Sequence, residues 1–96
     1  MKIFVSKRAD RDFQNILEYL EYRWGAGSVE KFKSLTNDFL DILENFPEIG
    51  SMELPEKKIR GFQLTKQTRV FYTIKPKFIL ILTFYDVRQN PKSKNL

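Results

Sequence analysis

The apolar residues of this chain keep a helical period up to about residue 46 and a strand-like one after residue 56. Lys2 to Ser6 alternates, with Ile3 and Val5 on one side, and predicts a short strand; Ser6 is placed to cap a helix. Ala9, Phe13, Ile16, Leu17, Leu20 and Trp24 then recur at helical spacing until Gly25 and Gly27 interrupt them. Ser28 is the expected cap of a second helix, whose stripe is Phe32, Leu35, Phe39, Ile42, Leu43 and Phe46, ended by Pro47. Each helix should run on the order of 18 residues, roughly 27 Å. The link between them is short, which forces an antiparallel helix hairpin.

Pro47 to Glu56 has no clear period and two prolines, and reads as a loop. Lys57–Thr65, Arg69–Lys75 and Phe78–Asp86 are rich in β-branched and aromatic residues, and are separated by Lys66-Gln67-Thr68 and Lys75-Pro76-Lys77. They predict a three-stranded antiparallel meander, so the fold class is α+β. Gly61 within the first of these strands marks a bulge or a close backbone approach. A three-residue turn at Lys75-Pro76-Lys77 would set Ile74 opposite Phe78, Tyr72 opposite Leu80 and Val70 opposite Leu82. That apolar face should pack on the hairpin. The other face would carry Arg69, Phe71, Thr73, Ile79, Ile81, Thr83 and Tyr85, with Arg69 across from Thr83 and diagonal to Tyr85. Exposed apolar area at Ile79, Ile81 and Phe71 would need a covering partner. The segment from Arg88 to Leu96 is polar and should fray.

Charge divides the chain differently. The last 40 residues hold ten Lys/Arg and one acidic residue, Asp86, whereas the first 56 hold seven basic and eleven acidic residues. A basic, strand-forming half points to a polyanionic or acidic partner. Ninety-six residues fit one domain, 1–96. The chain has no Cys and no His. Disulfides, thiolate metal sites, zinc enzymes and Ser-His-Asp hydrolases are therefore excluded in practice, and no cofactor or metal is expected. The acidic residues lie mostly at helical spacing, as solvated faces do. No apolar run reaches membrane-spanning length, and the start of the chain is too short in apolar residues for a signal peptide, so a cytoplasmic location is expected.

The meander would bring Lys66, Arg69, Tyr85 and Arg88 to one end of the sheet. Such a cluster suits phosphate binding, with Tyr85 or Phe71 stacking a base. The plain alternative is a set of surface ion pairs with the acidic helices. Without His, strand scission would need Lys or Tyr as base and Arg to stabilise the developing charge. Tyr19, Tyr22, Arg23 and Trp24 read as core and rim packing.

Several segments together resemble the RelE/ParE family of toxins from type II toxin–antitoxin systems. The opening from Met1 to Phe13 looks like that family's first strand and helix, and Leu17-Glu18-Tyr19-Leu20 with Trp24-Gly25 like its helix end. Phe46-Pro47-Glu48-Ile49-Gly50 is similar to its motif after the second helix. Ile59-Arg60-Gly61, Arg69-Val70-Phe71-Tyr72-Thr73-Ile74 and Phe84 to Pro91 resemble its sheet and tail. The resemblance implies a cytoplasmic toxin neutralised by a cognate antitoxin that wraps it. It leaves two activities open. RelE-like members cleave mRNA on the ribosome with a set of Lys/Arg and a late Tyr or His, which maps here onto Lys66, Arg69, Tyr85 and Arg88 as catalytic candidates. ParE-like members instead inhibit DNA gyrase by binding and lack that set. The absent His and the short segment after Asn90-Pro91 depart from the RelE-like pattern.

Overall fold

The computed structural model describes residues 1–89. The predicted tail from Asn90 onward lies outside them. The elements are β1 (Lys2–Val5), α1 (Lys7–Trp24), α2 (Ala26–Asn45), a 3₁₀ turn (Pro47–Ile49), β2 (Ser51–Leu54), a second 3₁₀ turn (Pro55–Lys57), β3 (Ile59–Gln63), β4 (Thr68–Ile74) and β5 (Phe78–Asp86). The sheet has five strands in the order β1-β5-β4-β3-β2. The α+β class, the helix hairpin and the β3–β4–β5 meander are as expected. The meander is widened on both sides, by β1 running parallel to β5 and by β2 antiparallel to β3. The stretch read as a loop, Pro47 to Glu56, thus holds an edge strand. Four residues between two prolines were too few to show an alternation.

Ser6 caps α1, its hydroxyl oxygen accepting the Ala9 N–H at 3.0 Å. The hairpin is tighter than expected. Gly25 alone joins the helices, at φ +89°, with its N–H on the carbonyls of Leu20 and Glu21. Only glycine adopts that conformation without strain. α2 therefore starts at Ala26, and Ser28 lies inside it rather than capping it. Its buried stripe is also rotated, to Val29, Phe32, Thr36, Phe39 and Leu43. Thr36 enters because its hydroxyl donates to the Phe32 carbonyl at 2.8 Å, so no polar atom is left unpaired. Leu35, Ile42 and Phe46 turn outward.

The β4–β5 register corrects the expected faces. The Lys75 N–H bonds the Phe78 carbonyl, so the turn is the two residues Pro76-Lys77, and Ile74 faces Ile79. Tyr72 then faces Ile81, and a bulge at Leu82 follows, after which Phe71 faces Thr83 and Val70 faces Phe84. Val70 and Tyr72 do face the helices, but together with Ile79, Ile81 and Phe84 instead of Phe78, Leu80 and Leu82. The strip expected to need a partner is not on the surface: Ile79, Ile81 and Phe71 are fully buried. The outward apolar residues beside it are Phe4, Phe78 and Leu80, with Phe4 and Phe78 in edge-to-face contact.

Candidate functional site

β4 opens with Thr68 opposite Asp86 and Arg69 opposite Tyr85, one position closer than the diagonal expected. The Gln67 carbonyl accepts the Val87 N–H, which joins the β3–β4 turn to the segment after β5. Lys66, Arg69, Tyr85 and Arg88 therefore do share one end of the sheet. They do not share a face. Strand alternation puts Arg69 and Tyr85 on the side away from the helices, and Asp86, with Arg88 bound to it, on the helix side.

Each arginine is held by a carboxylate. Arg69 places Nη2 2.6 Å and Nε 2.8 Å from Glu53 Oε1, and donates through Nη1 to Gln63. Its guanidinium also lies over the Phe71 ring. The packing needs Gly61, since a Cβ there would sit 2.9 Å from both Arg69 Nε and Glu53 Cγ. The close approach anticipated at Gly61 is thus made by an ion pair. That pair ties edge strand β2 to the sheet.

Arg88 grips Asp86 in a fork, Nε to Oδ1 at 2.9 Å and Nη2 to Oδ2 at 2.6 Å. Asp86 is fully buried and also accepts from the Thr68 hydroxyl at 2.8 Å and from the Arg88 backbone N–H. Burial, the largest single influence, raises the Asp86 pKa; the hydrogen bonds from Arg88 and Thr68 and the guanidinium charge outweigh it and leave the carboxyl below its ordinary value. Arg88 is correspondingly raised, chiefly by its hydrogen bonds to Asp86. Its guanidinium stacks on Tyr19 at 5.1 Å and Trp24 at 5.8 Å. Those α1 aromatics were read as packing. Tyr19 is half-buried, but Tyr22 is 90% exposed and Trp24 57%.

Lys66 is exposed on the β3–β4 turn, which is stiffened where Thr65 Oγ1 accepts the N–H groups of Gln67 and Thr68. Among the described residues no ion pair engages Lys66, and no group of three or more acidic side chains is placed to hold a metal ion. The partners that sequence reasoning missed are Glu53 and Asp86. Glu53 was hidden in the presumed loop. Asp86 carried a signal, as the single acidic residue in a strongly basic stretch.

Residues 3–91 match the family model described as the ParE toxin of the type II toxin–antitoxin system, parDE. The chain belongs to that family. It is a type II toxin, and its partner is a cognate antitoxin. The fold of this ParE-family toxin is similar to a chain of the chromosomal ParDE system from P. aeruginosa, with TM-score 0.75 and 19% identity over 90% of this chain and 95% of that one. It is also similar to a YoeB/ParE toxin from Agrobacterium tumefaciens, with TM-score 0.64 and 12% identity over 90% and 98%. A YoeB dimer from Staphylococcus aureus gives TM-score 0.62 and 15% identity over 88% and 94%. No curated protein sequence matches the toxin. Among the described residues, no helix is long and apolar enough to cross a membrane.

Proposed function

We propose that this toxin, a single domain over 1–96 working in the cytoplasm, inhibits DNA gyrase by binding and does not cleave mRNA. The observation that supports this reading is the internal neutralisation of Arg69 by Glu53 and of Arg88 by Asp86. To stabilise a scissile phosphate, Arg88 would have to leave a fully buried carboxylate. Removing one partner of a buried pair costs about 3–5 kcal/mol, a large tax on a catalyst. Glu53 and Asp86 would also repel the incoming phosphate. In this reading Lys66, Arg69, Tyr85 and Arg88 are a shaped binding surface on two faces of the sheet end, with no acid–base role.

The test pairs two assays on one protein. Purified toxin should inhibit supercoiling of a plasmid by gyrase, while transcripts from induced cells stay intact by primer extension. Cut transcripts with unaffected supercoiling would overturn the proposal. Arg69→Ala sharpens the choice. Loss of a cation acting on the transition state lowers a rate on the order of 10²–10³-fold. A folded Arg69→Ala protein should instead keep growth inhibition close to that of the parent.

A further inference from the structure

Between the hairpin and the β3–β4 turn lies a cavity of about 240 Å³. Its floor is apolar, made by Leu20 and Phe32 with Leu35 at its edge; Leu35 is 39% exposed although it is a large aliphatic residue. Its rim carries two cations, Lys31 from α2 and Arg88 from the segment after β5, and no carboxylate is in the lining. Small-molecule sites run from roughly 300 Å³ upward, so this cavity is better matched to one inserted side chain than to a cofactor. Arg88 is fixed there. Asp86 takes its Nε and Nη2, Tyr19 and Trp24 stack on its plane, and Nη1 makes no hydrogen bond among the described residues.

We propose that this cavity is the anchor pocket for the antitoxin, receiving an apolar side chain flanked by Asp or Glu on an acidic, amphipathic segment. The choice of occupant rests on the membership in a type II toxin family, and not on the gyrase reading. Charge complementarity carries it. An acidic segment entering here meets Lys31 and the unused edge of Arg88, while its apolar residue covers Leu35. A prearranged arginine beside an apolar slot is the composition of a binding hot spot. The same attraction would speed encounter with an acidic chain.

The probe is the protein encoded by the open reading frame adjoining the toxin gene, titrated against purified toxin by calorimetry. Lys31 and Leu35 are both exposed, so Lys31→Glu and Leu35→Glu should leave the fold intact, checked by thermal unfolding. Each should weaken binding at least about tenfold, and Lys31→Glu should flatten its salt dependence. Met52→Glu, on the opposite edge of the sheet, should bind within about threefold of the parent. Both variants, assayed alone, should retain the parent's effect on gyrase; a parent inactive on gyrase would sink that reading while leaving the binding result to stand. The pocket proposal is overturned if both variants bind like the parent, or if Met52→Glu weakens binding as much as they do. It is also overturned if the two substitutions abolish self-association or binding of a single-stranded oligonucleotide while the complex is unaffected.

Discussion

The carboxylate of Asp12, on the second turn of α1, accepts the backbone N–H of Phe84 at 3.3 Å and also the hydroxyl of Thr83. These groups follow the bulge at Leu82, where a donor falls out of the ladder. On the same bulge the Leu82 carbonyl accepts the Ser6 hydroxyl at 3.0 Å. The irregularity is thus fully paired by α1 and its cap. Asp12→Ala should destabilise the fold by about 1–3 kcal/mol, the range for a buried polar group left without its partner. Asp12→Asn, which keeps one acceptor oxygen, should lose less. Chemical denaturation of the two variants at one pH checks this order.

The corrected face of β5 makes a second prediction. Ile81 is fully buried against the helices, whereas Leu80 is half-buried on the other side. Ile81→Ala should cost about 2–5 kcal/mol, a large share of the stability of so small a domain. Leu80→Ala should cost less than half as much. Equal denaturant midpoints for the two variants would contradict the bulged register.

Asp86 should confer acid sensitivity. Its folded-state pKa lies below the unfolded one, so its contribution is complete above about pH 4 and fades as pH falls through the folded value. Asp86→Asn should lack that part of the acid slope. At neutral pH it should be less stable by about 2–3 kcal/mol, short of the range for a wholly buried pair because Arg88 stays 21% exposed. Urea midpoints measured from pH 7 down to pH 3 would show both effects.

Tyr72 is a buried strut. Its hydroxyl accepts the Gly50 N–H at 2.8 Å and donates to the Pro47 carbonyl at 2.7 Å, fastening the turn after α2 to the middle of the sheet. A Cβ at Gly50 would lie 2.8 Å from the Tyr72 ring and 2.9 Å from the Gly61 carbonyl. Gly50→Ala should therefore cost about 1–3 kcal/mol through overpacking. Tyr72→Phe should cost a similar amount for a different reason, the loss of two buried hydrogen bonds. Thermal unfolding of both, with near-ultraviolet circular dichroism to follow the aromatic environment, checks the pair.

The parts of the fold that were legible in the sequence are those set by local repetition. Ala9, Ile16 and Leu20 repeat often enough to fix the inward side of α1, and the hydroxyl of Ser6 announces its start. Pairing between distant segments was not legible. The inward side of β5 depends on whether Pro76-Lys77 or Lys75-Pro76-Lys77 makes the turn, and on one extra residue at Leu82. Neither leaves a periodic mark. At the sheet end, the grouping of Arg69 with Tyr85 was readable from strand alternation. The pairing of Arg69 with Glu53 was not, because it spans 16 residues and ends on a strand too short to recognise.

Ser6 reaches Leu82 across 76 positions of sequence, and β1 has no neighbour other than β5. A ribosome making this chain releases β1 first and β5 only much later. In the interval the helix hairpin can form from local contacts, but β1 has nothing to pair with and the inward face of the helices lacks its central cover. The sheet end that bears Arg69, Tyr85 and Arg88 cannot exist before β5 is made. A growing chain is therefore harmless for most of its synthesis, and the molecule becomes a weapon only at the moment it is nearly finished. An antitoxin already present in the cell needs no head start on the folding of its target.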